Sequence, residues 1–282
     1  MKDYQGFKNN GNWYKGNLHS HTTVSDGKMT PEQSVEVYKE HGYNFLALSE
    51  HDIYTDYRKQ YNTDNFIMIP AIEASAILYQ EEGSSKRLEI HHLHGILGTS
   101  EMQKNAKAPL FTHMEHVPPQ KHYGTWRGRE ISQEIADMLR DRGCVVTYNH
   151  PIWSRVTEEE FIYTEGVQAL EIFNYNTVLE SNTGYDVTYW DRMLRMGKKI
   201  NGFASDDNHN EGLFEDSCGG WICVQAPELT HDAIIQNFLD GNYYSSAGPV
   251  IKDWGIKDGK AWISCSPVNH INFVAGNIIN DG

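Results

Sequence analysis

His19 and His21 stand one residue apart in Gly16-Asn17-Leu18-His19-Ser20-His21, and Asp26 follows five residues later, just before Gly27. Alternate residues of a strand share a face, so a strand ending here presents both imidazoles on one side, with a carboxylate close behind. These are groups that can hold a divalent metal, although a lone histidine is more often satisfied by ordinary hydrogen bonds. What lifts the pair above that background recurs downstream. Glu50, His51 and Asp52 follow the apolar run Phe45-Leu46-Ala47-Leu48, and Glu73 closes the run 66–72. The stretch 88–97 carries His91, His92 and His94. His150 follows 144–148, Asn174 follows 169–173, and Asp206, Asp207 and His209 follow 200–204. Ionisable groups thus collect wherever an apolar run meets solvent.

The elements that must position these groups can be read from spacing. Thr30-Pro31-Glu32-Gln33 predicts an N-cap, a proline at the first helical position and a capping-box glutamine, with Gly42 ending the helix. Ile131, Ile135, Met138 and Leu139 predict a helix that closes at Gly143, and a further helix is predicted over 187–196. Strand, polar cluster, helix, strand is the pattern of a parallel α/β barrel, whose chemistry gathers at the C-terminal ends of the strands. From about Gly241 the texture changes to a turn-rich bridge, 242–249, followed by short strands over 254–256, 261–265 and 271–275. The expected organisation is a barrel over 1–245 and a small β appendage over 246–282, truncated where the chain stops.

A net charge of -14 repels polyanions and acidic membranes, so nucleic-acid binding is not expected. The four cysteines, Cys144, Cys218, Cys223 and Cys265, lack zinc-finger spacing and read as small buried residues. No apolar run is long enough to cross a membrane, and the N-terminus is too polar for a signal peptide, so a cytoplasmic location is expected by default. Imidazole and carboxylate together suit Mn, Zn or Fe. The candidates His19, His21, Asp26, His51, Glu73, a histidine of 91–94, His150, Asp207 and His209 are too many for one ion, and Glu73 is the natural bridge. Within the histidine stretch, His92 and His94 share a strand face and His91 points the other way.

The ordered series His19-x-His21 with Asp26-Gly27, Glu50-His51-Asp52, Glu73, His150-Pro151 and Asp207-x-His209 resembles the polymerase and histidinol phosphatase (PHP) superfamily over residues 16 to 245. The segment 241–249 with its following strands resembles the subgroup that includes carbamate- and ester-hydrolysing members. The resemblance implies a distorted seven-stranded barrel, two or three divalent ions and, in many members, phosphoester cleavage. Carried over by position, it implies that His19, His21, Glu73 and Asp207 hold one ion. Glu73, His150 and a histidine of 91–94 would hold a second, and Asp26, His51 and His209 a third. One histidine followed by two residues and a glycine matches His92, leaving His94 to substrate or support. Two features depart from the pattern: Glu50 stands where an aspartate usually precedes the histidine, and Asp206 adjoins Asp207.

Three divalent ions with these carboxylates leave a positive cleft that can attract a phosphate despite the acidic surface. The expected chemistry is attack by a metal-bridging hydroxide on a small phosphoester, with Glu73, Asp207 and His209 as the catalytic residues. Hydrolysis of a carboxyl ester or carbamate at the same metals is one alternative, and a non-catalytic metal-binding module another. The long polar segment 109–127, with His113, His116 and His122, is a candidate lid or substrate-contact segment. Arg127 and Arg129 could clamp a phosphate, and Trp126 and Trp153 could line the pocket or simply pack. Glu171 and Asn174 are expected to orient ligands, and Asp52 to do so for His51. His41, His231 and His270 read as structural.

Overall fold

The computed structural model describes residues 2–8 and 11–276, so residues 277–282 of the expected appendage lie outside the described residues. The fold is mixed α/β. A six-stranded sheet runs Asn201–Ser205, Val167–Asn174, Cys144–Tyr148, Arg87–Leu97, Ala71–Tyr79, Gln120–Tyr123. A five-stranded sheet runs Tyr243–Ser246, Trp221–Ala226, Asn12–Asn17, Phe45–Leu46, Ile67–Met68. Parallel isolated bridges tie the two sheets together, between Ser20 and Asn208 and between His51 and Glu73.

Strand alternation divides the apolar side chains between two layers. Leu18, Phe45, Ile69, Ile96, Val145 and Phe203 form a core drawn from both sheets. Their neighbours Leu93 and Val146 face the other way, with Ile72, onto the helix Gly128–Asp141, through Ile131, Ile135 and Leu139. The strands that carry the polar clusters are therefore buried on both faces, which is why their sequences are nearly continuous apolar runs. The helix Pro31–Glu40 starts on the predicted capping box: Thr30 Oγ1 accepts from Gln33 N, and Gln33 Oε1 accepts from Thr30 N.

The regular alternation of strand and helix does not hold throughout. Ala71–Tyr79 and Arg87–Leu97 pair antiparallel, and Arg87–Leu97 also pairs antiparallel with Cys144–Tyr148. The connection over 80–86 turns through Gly83 at φ +81 and is too short for a crossover, so the chain can only return on itself. Tyr243–Ser246, expected as part of a bridge, is instead a strand of the five-stranded sheet. Ile251–Lys257 and Lys260–Cys265 form a small antiparallel sheet with Tyr4–Gln5, whereas 271–275 forms no strand. Cys144 and Cys223 are buried as expected, but Cys218 and Cys265 are half-buried. Among the described residues, no helix is long and apolar enough to cross a membrane.

Candidate metal centre

His19, Ser20 and His21 lie just past the Asn12–Asn17 strand, where pairing with the 207–208 segment takes over: Asp207 N donates to the His19 carbonyl and His21 N to the Asn208 carbonyl. Glu73 sits near the start of its strand, opposite His94, and is bridged to His51. His150 and Asp207 each follow the end of a strand with left-handed backbone, at φ +25 and +54, and Asp52, just before the strand Ile53–Tyr54, is left-handed too at φ +56. Non-glycine residues rarely adopt this region, so these strand ends are held by their surroundings.

The side chains converge on Glu73. His19 Nε2 lies 3.1 Å from Glu73 Oε1 and 3.0 Å from Asp207 Oδ1, while His21 Nε2 lies 3.0 Å from Asp207 Oδ1 and 3.4 Å from Glu73 Oε2. On the other side of the carboxylate, His150 Nε2 is 3.3 Å and His92 Nδ1 3.5 Å from Glu73 Oε1, and these two nitrogens are 3.4 Å apart. Nearer solvent, Asp26 faces His209 Nε2 at 3.4 Å and His51 Nε2 at 3.6 Å. His51 also turns Nδ1 to Glu73 Oε2 at 3.0 Å, so it touches two of the expected groups. His19, His21, Glu73 and Asp207 form one group of possible ligands, as do His21, Asp26, His51 and His209, and His51, Glu73 and His92.

Several of these atoms lie close together without hydrogen-bonding, which is the test of whether a metal fits. Glu73 Oε2, Asp207 Oδ1 and His51 Nδ1 are buried and have no hydrogen-bond partner among the described residues. His19 Nδ1 lies 2.8 Å from Glu171 Oε1, an acceptor, so the neutral ring carries its proton there and aims the Nε2 lone pair at the carboxylate oxygens. Lone pairs meeting at about 3 Å repel unless positive charge lies between them. Protons or a divalent cation can supply it. Burial disfavours a charged ring, but Asp207, Glu73 and Glu171 outweigh that and hold His19 well above its ordinary value, and Asp207 and Glu73 raise His21 to about 10. Burial likewise opposes ionisation of Glu73, yet the surrounding imidazoles hold it well below the carboxylate range. Metal ions would compete with these protons for the same lone pairs.

A layer of buried groups fixes the cluster. Glu171 accepts from His150 N at 3.0 Å, Asn174 Nδ2 at 3.0 Å and the Ser205 hydroxyl. Asn174 also donates to Asp207 Oδ2 at 2.9 Å, and Asn149 to Glu73 Oε1 at 2.7 Å. Asp206 lies outside the cluster, accepting from Tyr38 and from the backbone of Cys218, Gly219 and Gly220. Glu50 accepts from the backbone and hydroxyl groups of Thr22 and Ser25, which shapes the loop leading to Asp26. Asp52 bonds Ser75 and not His51, fastening its corner to the Glu73 strand. His94 packs edge-on against His19 at 4.2 Å between ring centres, while His91 points away and stacks on Trp126.

Asp26, His51, His92, His150, Asp207 and His209 line a cleft of about 340 Å³, whereas His19, His21 and Glu73 are fully buried. Its walls include Trp153 and Asp52, but others come from residues that the sequence did not single out, among them Arg87, Glu180, Glu211 and Phe214. None of 109–127 lines it. That segment is fastened down through Glu115–His116, which pairs with Ile53–Tyr54, and Gln120–Tyr123, which pairs with the edge of Ala71–Tyr79. Arg127 and Arg129 lie outside the cleft, Arg129 over the Tyr163 ring. Position on a segment that follows a strand end, as for Glu211 and Phe214 after His209, was the signal available for the wall residues.

No family model matches the sequence, and no curated protein does. Among solved structures, a two-domain protein from Bacteroides vulgatus containing a predicted PHP-like metal-dependent phosphoesterase aligns with a TM-score of 0.50 at 16% identity, over 87% of this chain and 67% of that one. An amidohydrolase from Chromobacterium violaceum, with bound sulfate and no metal, aligns with a TM-score of 0.47 at 12% identity, over 81% of this chain and 97% of that one. At 16% identity, the likeness to the first concerns the fold alone. With the topology above, it gives the chain a PHP-like fold.

Proposed function

We propose that the chain is a metal-dependent hydrolase that cleaves a small phosphoester. The observation that carries this is the pair of buried carboxylate oxygens, Glu73 Oε2 and Asp207 Oδ1, which have no hydrogen-bond partner among the described residues and lie among converging imidazoles, Asp207 lining the cleft and Glu73 buried beside it. His19, His21, Glu73 and Asp207 would hold one ion, and Glu73, His92 and His150 a second. Asp26, His51 and His209 would hold a third. Mn, Fe and Zn suit these donors. Bound divalent ions supply positive charge for phosphoryl oxygens and lower the pKa of water.

The protein's own part is to position groups and manage protons. Glu171 keeps the His19 proton on Nδ1, and Asn174 aligns Asp207. His209 Nδ1 donates to the Asp207 carbonyl at 2.8 Å, so in the neutral ring Nε2 is the basic nitrogen facing the cleft. Burial of the floor excludes bulk water and strengthens each of these interactions. The bridges between the two sheets support reading them as a distorted barrel over 1–245, with 246–282 as the appendage. The test is a panel of aryl phosphate monoesters, diesters, carboxyl esters and carbamates, assayed with Mn, Zn and Fe. Turnover of phosphate esters is expected. Turnover confined to carboxyl esters or carbamates would overturn the substrate class, and bound metal without turnover would point to a binding module.

A further inference from the structure

The pairing of Ala71–Tyr79 with Arg87–Leu97 is irregular at its outer end. Leu78 faces Glu89 and Tyr79 faces Arg87, so Leu88 is an extra residue, a β-bulge. Along the regular part, His92 faces Ser75 and Ile90 faces Ile77 on one side of the sheet. An unbroken strand would put Leu88 next on that side, and the bulge puts Arg87 there instead. The cleft lining agrees: Ser75, Ile77, His92 and Arg87 all face it. The charged residues lining the cleft besides its histidines are Asp26, Asp52, Glu180, Asp207, Glu211, Asp216 and Arg87, which makes Arg87 its one permanent cation among the described residues. Arg87 is exposed, and its side chain makes no hydrogen bond or ion pair with the described residues.

We propose that Arg87 determines specificity by binding a second anionic group of the substrate, remote from the bond that is cleaved. This rests on the phosphoester reading above. Arg87 is opposite Tyr79 and His92 is opposite Ser75, which separates them by roughly 13 Å along the strand. That separation leaves room between guanidinium and cleft floor for a carbon frame bearing an anion at each end. A guanidinium binds carboxylate and phosphate alike through paired N–H donors. The acidic residues on the remaining walls repel any anion that Arg87 does not neutralise.

The experiment compares phenyl phosphate, 4-carboxyphenyl phosphate and 1,4-phenylene bisphosphate on the metal-loaded wild type and on Arg87→Ala and Arg87→Lys. The wild type should prefer at least one dianionic-ended substrate by on the order of 10- to 100-fold in kcat/KM, and the preferred arm identifies carboxylate or phosphate as the partner. Arg87→Ala should lose that preference through KM and affect phenyl phosphate far less, and Arg87→Lys should keep part of it. No preference in the wild type, or an equal loss on all three substrates, overturns the inference. If the wild type turns over none of them, the phosphate-monoester reading has failed. Arg87 is then judged by calorimetry with 4-phosphonobenzoate, 1,4-phenylenediphosphonate and phenylphosphonate, where tighter binding of a second-anion ligand that disappears in Arg87→Ala supports it and equal binding overturns it.

Discussion

Glu73→Gln is the most informative single change, because it keeps the side-chain shape and an oxygen to accept from Asn149 while removing the charge on which two ligand sets converge. Its carboxylate lies within 3.5 Å of His19, His21, His51, His92 and His150. A metal that binds only the folded chain stabilises it by about 2.7 kcal/mol when present at a hundredfold excess over its dissociation constant. At roughly 2–4 °C per kcal/mol, that is a metal-dependent rise in Tm of roughly 5–11 °C for a protein of this size. Glu73→Gln should abolish most of that rise and lower the metal content by at least one ion per chain. Elemental analysis of protein as purified, with thermal scans in chelator and in Mn, measures both. A variant that keeps its full complement and the same Mn-dependent rise would falsify the shared role of Glu73.

Glu171→Gln should lower metal affinity on the order of 10- to 100-fold while the fold persists, since Glu171 sets the His19 tautomer; chelator competition measures this, and unchanged affinity refutes it. Glu50→Ala should release the Thr22 and Ser25 loop, costing occupancy of the set with Asp26, His51 and His209 but not that of the Glu73 and Asp207 set; loss of all bound metal would count against this division. Asp186 is buried at the start of the helix Val187–Arg195, and burial pushes its carboxyl up from 3.8 to about 7. Between about pH 4 and 7 the folded chain keeps a proton that the unfolded chain has released, so stability falls as pH rises through that window and levels off above it. Asp186→Asn should flatten this slope and be more stable at pH 8 by roughly 2–4 kcal/mol, as read from urea titrations at both ends of the window.

Most of the groups that come together at Glu73 were legible in the sequence because they follow runs of apolar residues, although Glu73 and His92 lie within their strands and not at the ends, where a buried ionisable side chain needs a compensating partner. Direction was not legible. Periodicity marks strands without orienting them, so the antiparallel return through Gly83 looked like one more parallel step. Two adjacent carboxylates, Asp206 and Asp207, were separated by what surrounds them: three backbone amides and Tyr38 hold the first, and the left-handed turn aims the second into the cluster. The length of 109–127 suggested a mobile cover, but edge pairing with Ala71–Tyr79 and Ile53–Tyr54 is a long-range property that composition does not encode. Tyr243–Ser246 was hidden by the turn formers after it, although its tyrosines favour a strand. Arg87 was invisible for a stricter reason: its facing depends on one inserted residue in the register.

The left-handed backbone at His150 and Asp207 has an evolutionary consequence. Glycine adopts that conformation freely, whereas any other residue there costs on the order of 1 kcal/mol. At both positions, the side chain that serves the cluster is therefore not the one that best suits the chain's conformation. A lineage in which selection on the cluster lapsed would gain stability by drifting to glycine at 150 and 207, trading the site for a more relaxed backbone.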